Sequence, residues 1–211
     1  RKNKCMTLFL SRILSWWKVK EKKPSIPPEV VVATSYGSVE SRLMVCTEAC
    51  FGLAISISNS LDGIHIAFSN SDRSGSPHIS DFEFAHKIGL MNKNSLLGNP
   101  ISMIFARPFR GAIEEMLMVG NAVSLWIPDL RSIVVVTGEL ISPLTYKVYS
   151  RLFPRAEVTI VTVPHEAEVQ VDSPYFFRRG LVRWFVGNIV MRLALEFFSM
   201  RLVATFFRDM F

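Results

Sequence analysis

The chain is 211 residues long, 49% apolar and 20% charged, which suits one compact domain with a sizeable core and excludes wholesale disorder. Its net charge of +6 is unevenly spread: residues 1–23 hold eight Lys/Arg against one Glu, residues 175–211 hold six Arg against Glu196 and Asp209, and residues 24–174 carry a net −5. An acidic body with basic ends argues against a DNA-binding fold, whose basic residues would lie on the folded face. It points instead to a domain tethered by its ends to something anionic, either a phospholipid surface or RNA.

A first residue other than methionine predicts a processed or truncated chain. Residues 6–20 predict a helix with one apolar side, on which Leu10, Ile13, Leu14, Trp16 and Trp17 alternate with polar residues every three or four positions. Paired tryptophans beside lysines suit the headgroup level of a bilayer, and the basic, serine-containing, nearly acid-free stretch is similar to a mitochondrial targeting segment. Arg12, Trp16, Trp17, Lys18, Lys22 and Lys23 are the expected contacts with a membrane or other anionic surface. A terminal helix packed on a partner protein is the competing reading. Residues 24–28, with three prolines, then read as an extended linker.

From residue 29 strands and helices alternate. The run Val30-Val31-Val32-Ala33-Thr34-Ser35, ending in Tyr36-Gly37, suits a buried parallel strand. Helical spacing follows over 39–51, a strand over 64–68, and a Ser/Asn/Asp/Gly-rich loop over 69–80. A helix is predicted over 81–90, a third strand over 101–105, and a helix over 112–126 stopped by Pro128. Residues 132–137 form the clearest strand, followed by a helix over 143–153 and a strand over 158–163. Short connections of this kind predict a Rossmann-like α/β fold over 29–180, with about five parallel strands sandwiched by helices.

Residues 181–211 predict a long helix rich in Phe, Leu, Val and Met. Its charged positions leave the surface apolar almost all round, and an exposed patch of that size is an interaction surface. Folding back on its own sheet would cover one face and not both. Trp184, Phe197, Phe198, Arg201, Phe206 and Phe207 are therefore the expected partner interface. The longest uncharged run, 184–191, is far short of the ~20 residues that span a bilayer.

Motifs for chemistry are absent from the sequence: there is no phosphate loop, no dinucleotide fingerprint, no zincin pair and no nucleophile elbow. The three cysteines make neither a disulfide framework nor a zinc pattern, and no metal or cofactor is expected. His65 reads as a satisfied core histidine. His165 with Glu166 and Glu168 reads as a solvated loop, and Glu114-Glu115 as a solvated helix turn.

One family resemblance is carried by several segments in order. Val30 to Gly37 followed by Arg42, then Gly120-Asn121-Ala122, Arg131-Ser132-Ile133-Val134-Val135-Val136-Thr137 and the stretch from Pro154 to Pro164 resemble the bacterial YdcF/SanA/ElyC-like proteins over roughly residues 29–190. The resemblance implies a Rossmann-like domain, often anchored to a membrane at its N-terminus. It also implies a cleft above the sheet with a histidine and an arginine, but here those positions fall on Ile141 and Leu144. Arg42, Asn121 and Glu139 stand as remnants of a ligand cleft, and no residue is assigned a catalytic role. A pocket without a general base or a cation lacks groups that would favour a transition state. The function expected is that of a non-catalytic accessory subunit of a large, membrane-bound mitochondrial assembly at the inner-membrane periphery, in contact with other subunits and surface lipid. A mitochondrial ribosome subunit with an RNA-contacting arm, and a YdcF-like protein binding a small anionic or nucleotide ligand, are the alternatives.

Overall fold

The computed structural model describes residues 17, 19, 23–36, 38–39, 42–61, 65–68, 103–105, 111–168 and 180–207. Its centre is a five-stranded sheet, all parallel, built from β1 (Val30–Ala33), β4 (His65–Phe68), β5 (Met103–Phe105), β6 (Ser132–Gly138) and β7 (Glu157–Val163). The spatial order is β5-β4-β1-β6-β7. The chain runs outward in one direction from β1 and then returns to build in the other, so the order reverses between β1 and β6, as it does between the two halves of a doubly wound sheet. β1 and β6 are buried throughout, which is why both are rich in valine and isoleucine and do not alternate apolar with polar residues.

Helices cover both faces. Helix α1 (Val45–Ser60) packs on β1, β4 and β6, burying Cys46, Cys50, Phe51 and Ala54. Phe51 meets Phe68 edge to face at 4.9 Å. Helices α2 (Ala112–Trp126) and α3 (Ser142–Leu152) pack against each other. Gly120 faces α3, where a Cβ would lie 2.6 Å from Leu152 Cδ1 and would displace the end of that side chain. The proline linker is laid against the body: Glu157 accepts hydrogen bonds from Ser25 N–H at 2.9 Å and from Ser25 Oγ–H at 2.6 Å.

Two local expectations change. The helix predicted from residue 39 begins at Val45, and Ser38–Val39 (β2) and Arg42–Leu43 (β3) pair as an antiparallel ribbon instead. Tyr36 N–H donates to Thr47 Oγ1 at 2.8 Å, which ties the loop back to the first turn of α1. The C-terminal segment holds two helices: α5 (Leu181–Phe197) ends where Phe198 turns extended, and Ser199 caps α6 (Met200–Phe206) by accepting from Leu202 N–H at 3.3 Å. α5 packs on α3 and α6 on α2. The helix predicted over 81–90 lies outside the described residues.

Candidate functional site at the carboxyl edge of the sheet

Folds of this order bind ligands where the strand order reverses, outside the carboxyl ends of the two central strands. Here that place is bounded by Thr34, Ser35 and Tyr36 after β1, and by Thr137 and Gly138 at the end of β6 with the turn into α3. The turn α4 (His165–Glu168), the start of α5 and the first turn of α2 close around it.

Its polar groups bond to one another. Glu168, fully buried, accepts Leu140 N–H at 2.6 Å with Oε1 and the Trp184 indole N–H at 2.9 Å with Oε2. The carboxylate packs against Gly138, where a Cβ would come within 2.1 Å of Glu168 Cδ. Tyr36 reaches under it: its hydroxyl accepts Gly138 N–H at 2.7 Å and lies 3.4 Å from Thr137 Oγ1, and its ring meets Trp184 edge-on at 6.4 Å. Burial, with the neighbouring Cys46, Glu168 and Cys50 adding to it, pushes the Tyr36 phenol well above its ordinary value, so it stays neutral. On the other side Glu115, 3% exposed, accepts Ser35 N–H at 2.6 Å. Its place in the first turn of α2 puts a carboxylate beside the positive end of the helix dipole.

The crevice is closed from above by Trp17. Its indole N–H donates to Leu140 O at 2.9 Å, its ring meets Phe185 edge-on at 5.1 Å, and the Arg192 guanidinium stacks over it at 5.1 Å. Trp17, expected at an anionic surface, is thus turned onto the body, because the indole finds a buried acceptor, an aromatic edge and a cation together. Lys23 is exposed; Arg12, Trp16, Lys18 and Lys22 lie outside the described residues.

The remnant-cleft residues are not brought together. Arg42 sits on the β2–β3 ribbon and not on a helix, and its side chain is outside the described set. Asn121 is exposed halfway along α2, on the wall of a groove of about 620 Å³ shared with α6. Glu139 is half-buried beside the crevice, its N–H on Val163 O and its carbonyl accepting Ser142 Oγ–H. Ile141 and Leu144 are core. Trp184, expected at a partner interface, is fully buried in the chain's own core, and Phe207 is half-buried against that core. Phe197, Phe198, Arg201 and Phe206 are exposed.

The carboxylates that occupy the site are two that read as solvated. Glu115 has a legible signal, since it falls on the same helical stripe as Ala112, Val119 and Val123. Glu168 has none, because its partners lie 28 and 16 residues away. The expected core histidine is also incompletely satisfied, as His65 Nδ1 is buried with no hydrogen-bond partner among the described residues. Cys46 and Cys50 are both buried. Among the described residues no three His, Cys, Asp or Glu side chains are grouped to hold a metal ion. No protein-family model matches the chain, and no curated protein is detectably similar to it.

Proposed function

We propose that the protein is a non-catalytic accessory subunit of a large assembly at the mitochondrial inner membrane. The observation that carries this reading is the occupied crevice: Glu168, Tyr36 and Trp184 fill the position where a ligand would sit in a fold of this strand order. Admitting a ligand would move Glu168 and leave two buried N–H donors without acceptors, each costing about 1–3 kcal/mol before any binding energy is gained. A catalyst needs groups that meet a transition state, whereas here the carboxylates hold backbone amides and an indole. On this reading the likeness to YdcF/SanA/ElyC-like proteins is that of a ligand-binding body whose polar cleft has become core, with Ile141 in place of the base and Leu144 in place of the cation.

The test is to recover the tagged full chain from mitochondria in mild detergent, and to measure its unfolding temperature against a panel of nucleotides and small anions. Co-migration with a high-mass membrane complex and no ligand-dependent rise in Tm is the expected result. A monodisperse monomer, or a saturable rise in Tm with one ligand, overturns it. Release by high salt without detergent would assign the basic arm to RNA phosphates instead of lipid.

A further inference from the structure

Helix α5 has two apolar faces. The inner one buries Trp184, Met191 and Leu195 in the core. The outer one carries Val182, Val186, Val190, Leu193 and Phe197, all exposed, the last at 79%. Their spacings of four, four, three and four residues keep them within a single stripe at ~100° per residue, about 22 Å long at ~1.5 Å per residue. Helix α6 adds Leu202 and Phe206, both exposed. A row of this size is not the scattered surface hydrophobicity of an ordinary monomer.

The charges around the row select its occupant. Arg192 and Arg201 lie on the same two helices, and the one acidic residue of the pair, Glu196, is already engaged by Lys147 and Arg151 of α3. Trp17, which belongs to the +7 stretch 1–23, is pinned to Phe185 and Arg192 of α5. An apolar stripe with cationic surroundings matches an anionic headgroup layer, where apolar side chains enter the acyl boundary and guanidinium groups meet phosphate. Among the described residues no helix is long and apolar enough to cross a membrane. At 17 residues α5 is about 25 Å long, which suits lying in the interface plane.

We infer that the outer face of α5, continued by α6, is a membrane-docking surface for anionic phospholipid. This rests on the proposed placement at a membrane, and it names the partner of one surface. The experiment is co-sedimentation of the purified full chain with phosphatidylcholine vesicles and with mixed phosphatidylcholine–phosphatidylglycerol vesicles. The variant combines Val186→Asp, Leu193→Asp and Phe197→Asp, and a second uses serine at the same three positions. All three side chains are exposed, so both variants are expected to keep the wild-type circular dichroism and Tm.

The wild type is expected to bind the anionic vesicles, less so as salt is raised. The aspartate variant should lose at least about tenfold in partitioning, and the serine variant should fall between. Equal binding by wild type and variants would leave the arm as the sole contact and overturn the inference. So would the absence of vesicle binding, or a concentration-dependent dimer that the same substitutions abolish. A chain that ignores vesicles yet co-migrates with the assembly defeats only the docking surface. One that binds vesicles through α5 yet co-migrates with nothing defeats only the subunit reading.

Discussion

Trp184 and Glu168, both fully buried, are joined by one hydrogen bond of 2.9 Å that fastens the first turn of α5 to the carboxyl end of the sheet. The indole is a donor without an acceptor role, and the carboxylate accepts without donating. The Trp184 donor thus meets its acceptor in a place water does not reach. Removing either end is costlier than the net worth of the bond, because the remaining group stays buried.

For Glu168→Ala, two donors, Leu140 N–H and Trp184 Nε1–H, lose their acceptor together. The expected loss is about 2–5 kcal/mol of unfolding free energy. Trp184→Phe removes one donor and part of the packing, with an expected loss of about 1–3 kcal/mol. Urea unfolding at neutral pH measures both. A loss under 0.5 kcal/mol for Glu168→Ala, the rough size of ordinary surface changes, would mean that the carboxylate is solvated.

Gly138→Ala places a methyl 2.1 Å from Glu168 Cδ, so the carboxylate must leave its donors or β6 must shift. The single variant is expected to lose more than about 2 kcal/mol. In the Glu168→Ala background the same substitution meets no carboxylate, and its cost should shrink. A double-mutant cycle should then give a coupling within about 0.5–3 kcal/mol. Additive effects would show that Gly138 and Glu168 are not in contact.

Among the described residues, Tyr36 and Tyr149 are buried. Burial raises the phenols of Tyr36 and Tyr149 well above the ordinary 10.0, with the buried Glu168 and Glu115 adding to the respective shifts. The unfolded chain would ionise both near the ordinary value. The stability they contribute is thus fully present below about pH 10 and is lost as pH rises through the raised folded values. Tyrosinate absorbance from these two should appear only with unfolding. Early ionisation of all four tyrosines in a folded chain would contradict their burial. The Tyr149 hydroxyl also has no partner among the described residues, so Tyr149→Phe should be neutral to stabilising by up to about 1 kcal/mol at neutral pH.

Trp17 bonds to Leu140 O, and its ring contacts come from α5. Trp17→Ala should cost about 1–3 kcal/mol and free the basic arm. Limited proteolysis should then cut within residues 1–23 faster while the α/β body resists. Trp17→Phe keeps the ring contacts without the donor and should fall between. Unchanged cleavage in Trp17→Ala would show that other residues hold the arm.

The sheet and most of its helices were legible in the sequence, because burial on both faces writes a local pattern. Val30–Ala33 and Ile133–Val136 are continuous apolar runs, and the helix over 112–126 matches Ala112–Trp126. The apolar outer face of the C-terminal segment was legible for the same reason, since a helical period needs no partner to be seen. Legibility failed where a residue's environment came from far along the chain. Helical spacing ran on to residue 39, but the bond from Tyr36 to Thr47 turned that start into a ribbon. Trp184 looked like a partner contact until the fold placed Tyr36 and Glu168 around it. Glu115 and Glu168 carry the composition of solvated carboxylates. Only the folded chain brings a backbone N–H, an indole and a glycine surface to within bonding distance of them. A buried polar group is decided by its hydrogen-bond partners, and those partners belong to the tertiary structure.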